Sequence, residues 1–268
     1  MRVIDAKTEL YGLVGSGISY TLSPIIHNFI FEKIAHNAIY YPFDVPEEKF
    51  ERIINALLEL CKGLNVTIPY KERVVKYLHS IDITAEKVGA VNTVFGWRGY
   101  NTDYIAVKKL TSKFKNLVTD SVCYIFGAGG AAKAVAIALS ELGCDTIVVI
   151  NRTPERALKM VHLLRAKGFN AQVGNANCST REFIVVNATP NPDFVPDDCA
   201  KNAGLVIDLV YRPVETSLVK KAMAKGVNVI NGLEILVTQA VEAQRIWLGI
   251  EFPEEEVIRY LYAGKFIW

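Results

Sequence analysis

The stretch Val122-Cys123-Tyr124-Ile125-Phe126-Gly127-Ala128-Gly129-Gly130-Ala131-Ala132 decides the fold class of this chain. Five apolar, β-prone residues run directly into a glycine turn. The spacing Gly127-x-Gly129-x-x-Ala132 then opens a helical pattern over Ala131–Leu142. Strand, glycine turn and helix in that order are the fingerprint of a dinucleotide site. Gly127 permits the tight turn, Gly129 lets the backbone approach a pyrophosphate, and Ala132 lets helix and strand pack closely. Ala128, Gly130 and Ala131 complete a loop whose N–H groups, at the positive end of the helix dipole, face phosphate.

The next apolar run, Thr146–Ile150, ends in Asn151-Arg152-Thr153. An acid commonly stands near that point to hold the ribose 2′-hydroxyl of NAD. Here Arg152 stands there, with Arg156 one turn on, and a guanidinium pairs in a forked geometry with a 2′-phosphate. The expected cofactor is therefore NADP. The plain alternative is that both arginines are solvated surface charges.

Working outward, short β-rich runs alternate with amphipathic helical patterns. Candidate strands are Tyr11–Gly15, Ile39–Val45, Gly63–Ile68, Ala90–Trp97, Val122–Gly127, Thr146–Asn151, Asn170–Val173, Phe183–Ala188, Leu205–Val210 and Asn228–Ile230. Between them, apolar residues recur every three or four positions, as Phe50, Ile53, Ile54, Leu57 and Leu58 do in residues 46–60. The alternation argues for parallel sheets with helices on both faces. Ser23-Pro24 reads as a helix start, Ser as N-cap and Pro in the first turn. The polar stretch Lys115–Ser121 marks a boundary. The expectation is a two-lobed α/β protein with a deep cleft. Residues 1–114 plus 236–268 form a substrate-binding domain, and 115–235 a Rossmann-type NADP-binding domain.

Composition narrows the function classes. The 268 residues carry a net charge of +2, so no broad basic field draws in nucleic acid or a membrane. No run approaches the ~18 apolar residues of a membrane span, and the N-terminus has no signal-peptide pattern. A cytoplasmic protein is expected. The five cysteines lack a CxxC pair and the four histidines lack ligand spacing, so reduced thiols and no metal site are expected.

Lys71, in Asn65-Val66-Thr67-Ile68-Pro69-Tyr70-Lys71, and Asp103, in Tyr100-Asn101-Thr102-Asp103, each follow an apolar run and precede a helical pattern. That strand-to-helix edge is where open α/β sheets bind ligands. Oxidation of an alcohol needs a group to take the hydroxyl proton. A lysine does this where desolvation favours its neutral form, and a neighbouring carboxylate opposes that by favouring the ammonium. Lys71 then polarises and positions the hydroxyl while Asp103 relays charge; the sequence leaves both roles open. Singly, Lys71 reads as a surface residue and Asp103 as a helix cap. Around them stand Thr21, Ser23, Asn65, Thr67, Asn92 and Gln239, hydroxyls and amides suited to a small polyhydroxylated ligand.

Taken in order, these segments resemble the shikimate dehydrogenase family. The matching pieces are Thr21-Leu22-Ser23-Pro24 with His27-Asn28, residues 65–71, Gly89-Ala90-Val91-Asn92-Thr93, residues 100–103, the loop Gly127–Ala132, Asn151-Arg152-Thr153, Asn187-Ala188-Thr189-Pro190, Asp208-Leu209-Val210-Tyr211-x-Pro213, and Asn231-Gly232-Leu233 with Gln239-Ala240. The resemblance implies reversible NADP-dependent reduction of 3-dehydroshikimate to shikimate, in aromatic amino-acid biosynthesis. It implies Lys71 and Asp103 as the catalytic pair, Thr21, Ser23, Thr67, Asn92, Asp103 and Gln239 as holding the substrate's hydroxyls and carboxylate, and Tyr211 near substrate and nicotinamide. Cofactor contacts would come from residues 127–131, Asn151, Arg152, Thr153, Arg156, Thr189 and Gly232. The family includes monomers and dimers, so a homodimer is compatible.

The sequence departs from the family pattern at Thr21 (usually Ser), Tyr104 (often Gly), Pro192-Asp193 (usually Gly-Met) and Ile235 (commonly Met). Two alternatives follow. Thr21 and Tyr104 favour a shifted substrate such as quinate, and Pro192-Asp193 an NADP-binding protein without turnover.

Overall fold

The computed structural model describes residues 4–178 and 182–267. The chain divides into two compact units, Met1–Thr102 with Val237–Phe266, and Asp103–Leu236 with the last described residue, Ile267.

The first unit opens with β1 (Glu9–Gly15), α1 (Ser23–Lys33), β2 (Ala38–Asp44), α2 (Glu47–Leu60) and β3 (Gly63–Val66). After a 3-10 turn come β4 (Ser80–Ile81), α3 (Ile83–Val88), β5 (Thr93–Phe95) and β6 (Arg98–Tyr100). The strands form one sheet in the order β2-β1-β3-β5-β6-β4. β1 runs parallel to both β2 and β3, so the turns after β1 and β3 leave the sheet side by side. Ser16 N–H donates to Ile68 O across those turns at 3.0 Å.

This sheet is mixed, not wholly parallel as expected: β5 is antiparallel to β3 and to β6. The strand expected over Ala90–Trp97 is cut by a turn at Gly96 and Trp97, with φ of 56° and 62°. Two successive positive φ angles make the tight hairpin that joins β5 to β6. The face of α2 predicted from its spacing is the buried one: Phe50, Ile54, Leu57 and Leu58 pack on Val14, Leu64 and Val66.

The second unit contains most of α4 (Thr102–Thr111), then α5 (Lys115–Val118), β7 (Val122–Phe126), α6 (Gly130–Glu141), β8 (Thr146–Ile150), α7 (Pro154–Ala166), β9 (Ala171–Val173) and β10 (Phe183–Asn187). It continues with α8 (Asp197–Asn202), β11 (Leu205–Asp208), α9 (Ser217–Met223) and β12 (Asn228–Ile230). All neighbouring strands pair in parallel, in the order β12-β11-β10-β7-β8-β9. That is the doubly wound dinucleotide-binding order, whose switch point lies between β7 and β10. The four inner strands β11, β10, β7 and β8 are almost wholly buried, which is why they read as continuous apolar runs. From β12 the chain enters α10 (Gly232–Leu248), which returns to the first unit, and α11 (Glu254–Ala263) follows. The Trp247 indole N–H donates to Val94 O at 3.1 Å and pins α10 to the first sheet.

The units divide at Thr102, ahead of the polar stretch after Phe114. The cause is α4: the Tyr104 hydroxyl donates to Glu141 at the end of α6, and Lys108 pairs with the same carboxylate at 2.8 Å. Among the described residues, no helix is long and apolar enough to cross a membrane.

The cysteine expectation is corrected at one pair. Cys178, in the β9–β10 connection, and Cys199, in α8, form a disulfide with Cα atoms 5.5 Å apart. The pair is separated by 21 residues, and only the fold brings α8 beneath that connection. Cys61, Cys123 and Cys144 are free thiols.

Candidate active site

In the first unit five of the sequence-predicted polar residues, Thr21, Ser23, Asn65, Asn92 and Gln239, lie along one chain of polar side chains. Thr21 Oγ1 donates to Ser23 Oγ at 3.2 Å, and the Ser23 hydroxyl neighbours the Tyr40 hydroxyl, whose ionised form it would stabilise as a donor. Tyr40 Oη donates to Asn65 Oδ1 at 2.8 Å. Asn65 Nδ2 donates to Thr93 Oγ1 at 3.0 Å and to Asn92 O at 3.1 Å. Asn92 Oδ1 accepts from Thr93 Oγ1 at 3.0 Å and from Thr102 N at 2.7 Å, while Asn92 Nδ2 donates to Thr102 Oγ1 at 3.0 Å. The chain ends where Thr102 Oγ1 reaches Gln239 Oε1 at 3.3 Å, on α10. Ser23, Asn65, Asn92, Thr93 and Thr102 are all buried. A buried polar group left unpaired costs about 1–3 kcal/mol, so these side chains hold one another in fixed orientations.

Ser23 differs from its expected role. It is the first residue of α1 rather than its N-cap, and no side chain caps that helix. Its hydroxyl is turned toward Thr21 and Tyr40 instead. Burial pushes the Tyr40 phenol well above its usual range, so it stays protonated and remains a donor.

Thr67 and Lys71 lie in the turn after β3. Thr67 N–H donates to Val14 O at 2.9 Å, and Tyr70 N–H closes the turn on Thr67 O at 2.8 Å. Lys71 O accepts from Val91 N–H at 2.8 Å, so its backbone is fixed beside the residue preceding Asn92. The sequence reading missed Tyr40 as a member of the chain and passed over Thr93 and Thr102 within motifs it quoted. For Tyr40 the available signal was strand alternation: Ala38 and Tyr40 are the buried positions of β2.

In the second unit the site is made of backbone. Gly127 has φ of 116°, and a Cβ there would lie 2.8 Å from Ala188 O at the end of β10. Gly129 has an ordinary extended conformation, and a Cβ built on it meets no heavy atom within 4 Å. No side chain caps α6, so the first-turn N–H groups around Gly130 and Ala131 are available to a ligand. Open space above Gly129 and an uncapped helix start fit a dinucleotide pyrophosphate. Ala128 and Ala131 are half-buried beside it.

Asn151 Nδ2 donates to Thr153 O at 2.9 Å, shaping the turn that presents Arg152. Arg152 and Arg156 are exposed. Thr189 follows β10, its hydroxyl donating to Asn187 Oδ1 at 2.8 Å. Asn187 Nδ2 donates to buried Asp208 at 2.9 Å, and Thr216 Oγ1 donates to the same carboxylate at 2.6 Å. Burial raises the Asp208 pKa. Asp208 thereby anchors the loop carrying half-buried Tyr211. Gly232, at the start of α10, has no room for a Cβ against Val210 O. Asp103 lies in the first turn of α4. The Tyr104 departure faces the packed interior, with its ring buried and its hydroxyl on Glu141.

Two family models match the chain: a shikimate dehydrogenase substrate-binding domain over residues 13–94, and shikimate/quinate 5-dehydrogenase over residues 108–195. A shikimate dehydrogenase (NADP(+)) of Saccharolobus islandicus is 53% identical over 269 residues, covering 100% of both chains. The chain belongs to the shikimate dehydrogenase family. Among solved structures, a family member from Thermus thermophilus, in complex with NADP(H) and shikimate, superposes with a TM-score of 0.79 at 30% identity. The match covers 94% of this chain and 99% of that one. A quinate dehydrogenase from Corynebacterium glutamicum in complex with NAD gives a TM-score of 0.84 at 27% identity, covering 96% and 99%.

Proposed function

We propose that this chain is an NADP-dependent shikimate dehydrogenase, reversibly reducing 3-dehydroshikimate to shikimate. The observation that carries the reading is the single hydrogen-bond chain that joins Thr21, Ser23, Asn65, Asn92 and Gln239 within the first unit. A ring bearing several hydroxyls needs many neutral partners with fixed directions, and such a chain supplies them without reorganisation on binding. The first unit is the substrate domain and the second the NADP domain.

In this reading Thr21, Ser23, Asn65, Thr67, Asn92 and Gln239 hold the substrate, and Tyr211 borders it. Lys71 takes the proton of the reacting hydroxyl, or returns it in reduction, with Asp103 as its partner in moving charge. Gly127, Ala128, Gly129, Gly130 and Ala131 bring backbone N–H groups to the pyrophosphate. Asn151 and Thr153 shape the turn from which Arg152, with Arg156, holds the 2′-phosphate. Thr189 and Gly232 border the nicotinamide end. When bound, NADP accepts or supplies the hydride at the carbon that bears the reacting oxygen. The same reading puts the enzyme in the cytoplasm as a monomer or homodimer, which sedimentation of the purified protein distinguishes.

The test is a panel of initial rates, shikimate and quinate each with NADP+ and NAD+. The expected result is highest kcat/KM for shikimate with NADP+. No turnover of shikimate with either cofactor overturns the reading. The quinate alternative rests on Thr21 alone, since Tyr104 is spent on Glu141. A kcat/KM ratio favouring quinate would decide for it.

A further inference from the structure

We propose that Tyr40 is a positioning residue of the substrate site, orienting Ser23 and Asn65 together through one hydroxyl. The inference rests on the substrate roles given above to those two residues.

Ser23 starts α1 and Asn65 lies in β3, separated in sequence by all of α1, β2 and α2. Their connection runs through the Tyr40 hydroxyl, which accepts from Ser23 and donates to Asn65 Oδ1 at 2.8 Å. With its carbonyl oxygen on Tyr40, the Asn65 amide has a single choice of flip: Nδ2 points to Asn92 O and Thr93 Oγ1. With the Tyr40 proton committed to Asn65, Tyr40 can meet Ser23 only as an acceptor, so the Ser23 proton is directed to the Tyr40 oxygen while Thr21 fills one Ser23 lone pair. A second lone pair is left for a ligand.

Tyr40 is itself held from three sides. Asn28 Oδ1 accepts from Tyr40 N–H at 2.9 Å, and Asn28 Nδ2 donates to Tyr40 O at 3.0 Å and to Pro24 O at 2.8 Å. One amide thus clasps the strand bearing Tyr40 to the helix turn bearing Ser23. Beneath the phenol, the His27 ring stacks at 4.3 Å with an interplanar angle of 12°. His27 Nδ1 lies 2.9 Å from Gln244 Nε2, on the same helix as Gln239. Consecutive residues of α1, His27 and Asn28, therefore seat both the ring and the backbone of Tyr40. Packing alone would be served by Phe; the hydroxyl, directed at two other polar groups in a buried place, is what a positioning role adds.

The experiment measures kcat, the KM for shikimate, the Kd for NADP+ and the melting temperature. It compares Ser23→Ala, Asn65→Ala, Tyr40→Phe and the Ser23→Ala/Tyr40→Phe double variant. Tyr40→Phe is expected to raise the shikimate KM about three- to tenfold, with kcat and the NADP+ Kd nearly unchanged. In the Ser23→Ala background its effect should shrink but not vanish: the Ser23 link is already gone there, while the bond to Asn65 is still lost, so the double variant should fall short of additive. Should Tyr40→Phe not fold, His27→Leu keeps the hydroxyl, withdraws its flat support and is expected to move KM the same way by a smaller factor. A KM raised by Ser23→Ala and Asn65→Ala but untouched by Tyr40→Phe and by His27→Leu overturns the inference and leaves the substrate reading standing. Additive effects in the double variant also overturn it. If Ser23→Ala and Asn65→Ala leave KM unchanged, the substrate reading fails and this inference with it.

Discussion

The two units build their sites from opposite materials. In the first, the site consists of side chains, buried and bonded to one another across a sheet, from Thr21 on one loop to Gln239 on a returning helix. In the second it is mostly main chain, a glycine turn and an uncapped helix start, joined by the side chains of two exposed arginines. The first arrangement suits a ligand recognised group by group, where each hydroxyl needs a partner of fixed direction. The second suits phosphates, which need N–H groups and positive charge but little shape. Damage to the first unit's chain should move the substrate and leave the cofactor alone, and damage to the glycine turn should do the reverse.

The largest expected effect is chemical. Lys71→Ala should lower kcat about 10²–10⁴-fold while the Kd for NADP+ stays near wild type. Stopped-flow and steady-state rates with shikimate measure it, and an unchanged kcat removes Lys71 from the reaction. Next comes Gly129→Val. The protein has room for the side chain there, so the melting temperature should hold, but the methyls occupy the ground of the pyrophosphate. The NADP+ Kd should rise at least about tenfold, an effect near 1.4 kcal/mol, and equal binding by calorimetry would remove the turn from the cofactor site.

Thr102→Val is a smaller change in the other unit. Thr102 Oγ1 bonds Asn92, Thr93 and Gln239, and valine keeps its shape while leaving those partners short. Stability should fall by about 1–3 kcal/mol, read from urea unfolding, with the shikimate KM raised. A fully stable variant with normal KM would show the chain to be incidental.

The smallest effect is a slope. Burial lowers the His27 pKa from 6.5 to about 3, so the folded protein holds a neutral imidazole where the unfolded chain is protonated. The unfolded state then binds more protons between those values. This contribution to stability is complete above pH 6.5 and is lost progressively as pH falls toward 3. His27→Phe should flatten part of the acid limb of a melting-temperature profile; an unchanged limb would exclude His27 as its source.

The contrast between the units also explains what could be read in the sequence. The glycine turn is local: Gly127 needs its positive φ and α6 needs no cap, and both facts lie within a few consecutive residues. The buried parallel strands of that unit are unbroken apolar runs. In the first unit Ser23, Asn65 and Asn92 could be nominated from their motifs, but not the atoms that join them. Tyr40 contacts residues 17 and 25 positions away, and its strand carries no turn or cap signal. The β5–β6 hairpin was hidden because Trp97 takes a positive φ that its residue type rarely adopts. Cys178 and Cys199 carry no spacing signal, and only the stacking of α8 under the β9–β10 connection makes them partners.

Calorimetric titration of shikimate and of NADP+, each into Asn65→Ala and into Gly129→Val, tests the division of labour most directly. The account predicts that Asn65→Ala weakens shikimate and spares NADP+, while Gly129→Val weakens NADP+ and spares shikimate. Equal losses of both ligands in either variant, or the reverse pattern, would contradict it.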